Sequence, residues 1–121
     1  MNKLSRGQQL KILGQNRVIY VCGPYRNKTE EGKRENILHA IRVSVRLWEL
    51  GWFVICPHAN TANFEFYSNL PDERWLEGDL EILRRCDAVF CLKGWERSEG
   101  ALKEHELAIS RGIDVYYEES L

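Results

Sequence analysis

The sequence predicts an α/β fold, in which a parallel sheet carries helices on both faces. Short apolar runs rich in β-branched residues alternate along the chain with longer segments whose apolar residues recur at helical spacing. The connections between these segments are short, and most of them contain glycine or proline. Strands that alternate with helices in this way form parallel sheets, because each helix returns the chain to the end of the sheet where the previous strand began.

Four apolar runs predict the strands of this sheet. The first three are continuously apolar, which suits strands that are buried on both faces. The first run ends at Gly23-Pro24 and the second at Pro57, where the chain is expected to turn. The predicted strands are Val18–Cys22, Trp52–Cys56, Ala88–Leu92 and Val115–Tyr117.

Three main helices are predicted between the strands. The first begins near Thr29, where acidic residues in the first turn suit the helix dipole, and it ends at Gly51. The second begins at Pro71, because proline is favoured in the first turn of a helix. The third is expected from about Ala101 to Arg111.

The remaining segments define the domain organisation. Residues 57–70, rich in Asn and aromatic side chains, show little periodicity and are predicted to form a loop. Residues 1–16 are polar and are expected to form an arm or a short helix. Because the chain has no internal repeat and is about one domain long, residues 17–121 are predicted to be a single domain.

The order of the strands follows from the handedness of their connections. Right-handed crossovers leave few arrangements, and the most economical is a flavodoxin-like, Rossmann-like three-layer α/β/α sandwich with strand order 2-1-3-4. Ligands of such sheets bind beyond the carboxyl ends of the strands at the switch point, here between strands 1 and 3. The binding site is therefore expected in the segments Gly23–Lys28 and Gly94–Glu104.

The composition narrows the class of partner. The chain has 121 residues, of which 44% are hydrophobic and 29% charged, with a formal net charge of −1. This charge argues against binding to nucleic acid polymers or anionic membranes, and no apolar run reaches the roughly 20 residues of a membrane span. We expect a small-molecule partner and, because apolar residues remain on helix surfaces, a homodimer or higher homo-oligomer.

The cysteines and the first residues of the chain indicate the compartment. Cys22, Cys56, Cys86 and Cys91 lie in or beside apolar stretches and form no CxxC pair, so buried thiols are favoured over disulfides or zinc ligands. The N-terminal segment has no continuous apolar block of the kind found in secretory signals. The expected location is the cytoplasm.

The loop after the first strand is a candidate binding segment. In Gly23–Lys28 a glycine is followed by two cations and an amide, and backbone amides with Arg26 suit a phosphate or a sugar. The alternative is an ordinary turn with solvated charges. The chain contains neither GxGxxG nor GxxxxGK[ST], which argues against the usual dinucleotide fold and against a P-loop.

Two carboxylates occupy unusual positions on the predicted helices. Glu104 shares a helix face with Ala101 and Ala108, whose small side chains allow close packing on the sheet. Asp79 lies on the apolar line of the second helix, where a buried carboxylate needs a partner or a function. The alternative is that Asp79 pairs with a backbone amide or with an arginine such as Arg26. Two carboxylates at one crevice suggest acid–base or nucleophilic chemistry at a sugar carbon.

The sequence resembles the nucleoside 2-deoxyribosyltransferase superfamily from about Val18 to Val115. The resemblance is to its DUF4406-type branch, and it extends to deoxynucleoside 5′-monophosphate N-glycosidases and CMP N-glycosidases. It rests on the following motifs in order: Ile19–Arg26, Asp79-Leu80, Cys86–Val89 and Ser98-x-Gly100-x-x-x-Glu104-x-x-x-Ala108. The resemblance implies an enzyme that cleaves the N-glycosidic bond of a nucleoside or a nucleotide.

The same resemblance implies roles for particular residues. Glu104 matches the nucleophile that attacks C1′ of the sugar, Tyr20 the tyrosine that orients it, and Asp79 the carboxylate associated with the sugar hydroxyl and the leaving base. Arg26 and Ser98 match positions that contact a 5′-phosphate. The remaining substrate-binding residues that it implies are Gly23, Tyr25, His58 and Gly100.

Several alternatives stay open at this point. The implied chemistry requires no cofactor and no metal, because a fixed carboxylate stabilises the positive charge that develops at C1′. Hydrolysis and transfer to a second base are equally compatible with it. A non-catalytic nucleotide- or nucleotide-sugar-binding module is the main alternative, and a TIR-like NAD glycohydrolase is a third.

The tryptophans have separate predictions. Trp48 and Trp52 are expected to pack in the core at a corner between a helix and a strand. Trp95 lies in the predicted site loop, where it either stacks on a base or acts as a structural lid.

Overall fold

A four-stranded parallel sheet forms the centre of the structure, a computed structural model that describes residues 5–119. Its strands are Val18–Cys22 (β1), Phe53–Ile55 (β2), Ala88–Cys91 (β3) and Asp114–Tyr117 (β4). They lie in the order β2-β1-β3-β4, and all neighbours are parallel. The predicted fold class and strand order are therefore confirmed.

Helices of residues 5–119 cover both faces of the sheet. They are Arg6–Leu13 (α1), Glu30–Glu49 (α2), Pro57–Asn60 (α3), Asp72–Arg84 (α4) and Glu99–Ser110 (α5), with single 3₁₀ turns at Phe64–Phe66 and Trp95–Arg97. Within this part of the chain, no helix is both long enough and apolar enough to cross a membrane.

The two faces of β1 lead to two different cores. Successive side chains of a strand point to opposite faces of the sheet. Ile19 and Val21 accordingly pack with residues of α1 and α2, whereas Tyr20 and Cys22 pack with residues of α4 and α5. This alternation places the Tyr20 side chain beneath α5.

The loop after β1 passes very close to the end of β3. A Cβ atom added to Gly23 would lie 2.8 Å from the Cβ of Leu92, which is shorter than any ordinary contact. Glycine is therefore required at this position by the close approach of the backbone to a neighbouring side chain. The contact fixes the start of the loop that was predicted to bind the ligand.

The structure corrects several boundaries of the sequence prediction. Residues 57–70 are not a simple loop, because they contain α3 and one of the 3₁₀ turns. Strand β2 is shorter than the predicted Trp52–Cys56, and α5 begins at Glu99 rather than Ala101.

The two tryptophans predicted to lie in the core, Trp48 and Trp52, differ in their burial. Trp52 is fully buried, and its indole N–H donates to the carbonyl of Leu10 at 3.0 Å. The prediction for Trp48 is wrong, because its side chain is 52% exposed. It lies on the outer face of α2 and packs edge-to-face on Phe53 of the edge strand, with ring centroids 6.1 Å apart.

Candidate active site

A cavity of about 560 Å³ opens at the carboxyl ends of β1 and β3. Its wall comes from the loop after β1, from α3 and the segment that follows it, from the first turns of α4 and from the N-terminal half of α5. Glu104, Asp79 and all the predicted substrate-binding residues line it, namely Gly23, Tyr25, Arg26, His58, Ser98 and Gly100. Tyr20 lies behind this lining, in the core beneath α5.

Glu104 is a buried carboxylate in the middle of α5. Its side chain is only 7% exposed, and it shares its helix face with the buried Ala101 and Ala108. These small residues allow α5 to pack closely on the sheet. The hydroxyl of Tyr20 donates a hydrogen bond to Oε2 of Glu104, so a strand residue holds the carboxylate in place.

Burial changes the proton affinity of both partners. Loss of solvent raises the pKa of Glu104 to about 8; the hydrogen bond from Tyr20 opposes this shift, and the charge of Asp79 adds to it. Burial and the nearby Glu104 raise the pKa of Tyr20 well above its usual value. Tyr20 therefore remains a protonated donor throughout the physiological range.

Asp79 is a second carboxyl group in the cavity wall. It is half-buried on α4, and burial raises its pKa to about 6. The alternative pairing with Arg26 does not occur, because Arg26 instead forms an ion pair of 2.6 Å with Asp72. Within residues 5–119, Asp79 forms no hydrogen bond or ion pair, which leaves its carboxyl group available to a ligand.

His58 joins α3 to the loop after β1. Its Nε2 lies 3.1 Å from the carbonyl oxygen of Gly23 and 3.0 Å from that of Pro24. Because carbonyl oxygens only accept, Nε2 must carry the proton. Burial lowers the pKa of His58, which favours the neutral ring.

Tyr25 anchors the outer wall of the cavity. Its hydroxyl accepts a hydrogen bond of 2.9 Å from the backbone N–H of Asn63 and lies 3.2 and 3.3 Å from the carboxylate oxygens of Glu65. Lys33 also contacts Glu65, at 3.3 Å. The hydroxyl of Tyr25 is therefore engaged within the protein, and its ring is the part that a ligand would meet.

The start of α5 and a neighbouring arginine form another part of the cavity wall. Ser98 caps α5, accepting a hydrogen bond of 3.2 Å from the N–H of Ala101. Arg97, in the 3₁₀ turn before α5, also lines the cavity. It was not singled out from the sequence, although it lies within the predicted segment Gly94–Glu104.

Two further lining residues come from the segment 57–70, which was predicted to form a loop, and a third comes from the first turn of α4. Phe64, Glu65 and Trp75 line the cavity, and Phe64 packs edge-to-face on Trp75 with centroids 6.1 Å apart. The signal in the sequence that could have indicated these lining residues was a cluster of aromatic residues among polar ones, between two helices. No group of three or more His, Cys, Asp or Glu residues in the described range is arranged to hold a metal ion.

Trp95, by contrast, does not belong to the lining. Its ring stacks on His105 with centroids 4.2 Å apart, and His105 contacts the hydroxyl of Tyr117 at 2.7 Å. Trp95 thus packs against the core beside α5, and the structure gives no support to stacking on a base.

The sequence of residues 17–117 matches the family model "Domain of unknown function (DUF4406)". The chain belongs to the DUF4406 family. This confirms the DUF4406-type resemblance found in the sequence. A comparison with curated proteins found no match for this DUF4406 chain.

Solved structures show which fold this DUF4406 protein has. A 2-deoxyribosyltransferase from Bacillus psychrosaccharolyticus matches with a TM-score of 0.59 and 22% identity, over 86% of this chain and 76% of that chain. A 2-desoxiribosyltransferase from Leishmania mexicana matches with a TM-score of 0.49 and 17% identity, over 84% of this chain and 63% of that chain. The first match shows that the DUF4406 chain has the fold of a 2-deoxyribosyltransferase.

Proposed function

We propose that this protein cleaves the N-glycosidic bond of a nucleoside or a nucleoside 5′-monophosphate, with Glu104 as the nucleophile at C1′. The observation that carries the proposal is a buried carboxylate in a cavity wall, held by the hydroxyl of Tyr20. The fold adds support, because the Bacillus relative is a 2-deoxyribosyltransferase described for the synthesis of nucleosides.

The proposed reaction uses the two carboxyl groups differently. As the bond between C1′ and the base nitrogen breaks, positive charge develops at C1′ and on the ring oxygen of the sugar. An oxygen of ionised Glu104 forms a bond to C1′, giving a glycosyl ester, while the departing base takes a proton from Asp79. Water or a second base then attacks C1′ and gives its proton to the Asp79 carboxylate, while the bond between C1′ and the Glu104 oxygen breaks and the Glu104 carboxylate leaves.

The pKa values of Glu104 and Asp79 set the fraction of protein molecules that are in the reactive protonation state. Since the pKa is about 8 for Glu104 and about 6 for Asp79, the neutral-pH form has Glu104 protonated and Asp79 ionised. The reactive form, with Glu104 ionised and Asp79 protonated, is then a minor tautomer of the same charge. A cationic sugar in the transition state favours the ionised Glu104 at the moment of reaction.

Two arginines and a helix N-terminus offer a place for the 5′-phosphate of a nucleoside monophosphate, although the carboxylates of Asp72, Glu73 and Glu99 also line the cavity. Arg26 and Arg97 both line the cavity, and the N-terminus of α5 at Ser98 adds its partial positive charge. The pairing of Arg26 with Asp72 is largely exposed, so a phosphate can compete for the guanidinium.

The test is a panel of nucleosides and 5′-monophosphates, with free base followed by chromatography. The wild type should release base, and Glu104→Gln should lower release by roughly three orders of magnitude or more. Glu106→Gln is the matched control, because Glu106 is an exposed carboxylate on the same helix. Full activity of Glu104→Gln would remove the nucleophile assignment. Addition of a second free base separates transfer from hydrolysis.

A second candidate function is nucleotide binding without turnover. One observation favours it: burial raises the pKa of Glu104 to about 8, so the empty site holds mainly the uncharged acid at neutral pH. Tight binding of nucleotides by the wild type with no release of base between pH 6 and pH 9 would support this alternative.

A further inference from the structure

Cys22 is a buried thiol at the end of β1 that the reaction proposed above does not use. Its side chain has no exposed surface, and it packs in the same core as Tyr20. The two side chains point the same way, because residues two apart on a strand share a face of the sheet. Cys22 therefore lies beneath α5, two residues along the strand from the tyrosine that holds Glu104.

The single S–H of Cys22 has three acceptors within hydrogen-bonding range. Its Sγ lies 3.5 Å from the carbonyl oxygen of Ala101, and the carboxyl group of Glu104 is also in range. The third is the sulfur of Cys91, which lies opposite Cys22 in the register of β1 and β3. The contact with Cys91, burial and the nearby Glu104 raise the pKa of Cys22 far above its usual value, so the thiol remains a donor.

The protonation state of Glu104 decides which acceptor this donor uses. An ionised carboxylate accepts a hydrogen bond more strongly than a neutral carbonyl does, and sulfur is a weak acceptor. The thiol of Cys22 therefore turns to Glu104 when Glu104 is ionised, and to the carbonyl of Ala101 when Glu104 is protonated. It stabilises the ionised form selectively, which is the form that the proposed attack on C1′ requires.

We propose that Cys22 is a second positioning residue for Glu104, its thiol donating to the ionised carboxylate and, when Glu104 is protonated, to the carbonyl of Ala101. The inference rests on the proposed function, since it concerns the same nucleophile. In the described part of the chain, the other titratable side chains that act on Glu104 are those of Tyr20 from β1 and Asp79 from α4. Burial raises the pKa of Glu104 to about 8, and the hydrogen bonds from Tyr20 and Cys22 both oppose that rise.

Cys22→Ala removes the donor, and its first effect should be on the titration of Glu104. We expect the pKa of Glu104 to rise by about 0.4–1 pH unit, which is the contribution of one hydrogen bond of ordinary strength. The measurement is an NMR titration of protein with isotope-labelled glutamate carboxyl groups, in which the resonance missing from Glu104→Gln identifies Glu104. This titration needs no substrate and no turnover.

The same substitution should change the pH profile of base release. In Cys22→Ala, kcat/KM at pH 7 should fall roughly threefold to tenfold, because the ionised fraction of Glu104 falls by that factor. The deficit should disappear above about pH 9, whereas a packing defect would persist at every pH. Cys22→Ser keeps a donor and should restore the pKa and most of kcat/KM. Cys22→Val replaces the S–H by a methyl group and should match Cys22→Ala, so it serves if the alanine variant is unstable.

Cys91→Ala is the matched control. Cys91 is a fully buried cysteine of the same core, but it is not among the groups that shift the pKa of Glu104. This variant removes the same volume beside Cys22 and should leave the titration of Glu104 where it is in the wild type. If Cys91→Ala and Cys22→Ser shift the pKa of Glu104 as much as Cys22→Ala does, the effect is one of packing and the inference is overturned.

The remaining outcomes separate this inference from the proposed function. If loss of the thiol shifts the titration of Glu104 as expected but the wild type releases no base, the function fails and the hydrogen bond to Glu104 stands. If base is released but Cys22→Ala and Cys22→Val titrate like the wild type, the inference is overturned and the function stands. A wild type without base release, together with a titration that does not respond to loss of the thiol, overturns both.

Discussion

The two faces of the central sheet bury different kinds of side chain. On the face covered by α1 and α2, the buried residues around Trp52 are apolar, and the indole N–H of Trp52 is paired with a backbone carbonyl. On the face covered by α4 and α5, the same strand presents Tyr20 to the buried carboxyl group of Glu104. The first face therefore stabilises the fold. The second face lowers the stability, because it keeps a titratable group away from water.

The largest expected effect is the loss of stability when a substitution creates a cavity on the apolar face. Trp52→Ala should lower the free energy of unfolding by about 3–5 kcal/mol, because it removes a fully buried ring and its hydrogen bond. Urea denaturation measures the loss. Trp48→Ala is the control, and at an exposed position it should cost less than about 1 kcal/mol. Equal losses in the two variants would contradict the assignment of the core.

On the other face, removal of a charge should increase stability. The pKa of Glu104 is about 8 in the folded protein and about 4.3 in an unfolded chain, so wild-type stability falls as the pH rises through this interval. Glu104→Gln removes that loss. Its melting temperature should exceed that of the wild type at pH 8.5 by several degrees or more, with little difference at about pH 4. A difference that does not depend on pH would show that Glu104 is not buried as described.

The hydrogen bond from Tyr20 should have a smaller effect, on activity rather than on the fold. It favours the ionised form of Glu104, so Tyr20→Phe should raise the pKa of Glu104 further. A hydrogen bond to a charged group contributes about 1.5–3 kcal/mol, so kcat/KM at pH 7 should fall roughly tenfold to a hundredfold. The deficit should shrink above pH 9. A deficit of the same size at every pH would indicate a structural effect instead.

The smallest expected effect is in the shape of the pH profile. The kcat/KM of the wild type should follow a bell with limbs near pH 6 and pH 8, given by the paired titration of Asp79 and Glu104. Asp79→Asn should remove the alkaline limb, because the proton lost there is that of Asp79 in the reactive tautomer. An alkaline limb that persists in this variant would assign that proton to another group.

The sequence predicted the elements whose pattern is local and strong. The run Val18–Cys22 is a strand in both accounts, and the spacing of Glu104 and Ala108 places both on the buried face of α5. The strand order followed from connection handedness alone. Pattern was sufficient here because each of these elements is buried against the centre of the sheet.

Prediction failed where long-range contacts decide the structure. The apolar spacing on α2 did not distinguish Trp48, which packs beside an edge strand, from the residues that face the core. The segment from residue 57 to residue 70 is organised by Tyr25 and Lys33 acting on Glu65. Those contacts join residues far apart in the chain, so local propensity holds no signal for them.

The close approach of Gly23 to Leu92 links the shape of the cavity to a residue outside it. The carbonyl oxygen of Gly23 accepts a hydrogen bond from His58, and Gly23 lies against the side chain of Leu92, which does not line the cavity of the candidate active site. The size of residue 92 therefore helps to set the position of the Gly23 backbone and, through the hydrogen bond, that of His58. Replacing Leu92 by a smaller or larger aliphatic residue offers a way to alter ligand preference without changing any residue that lines the cavity.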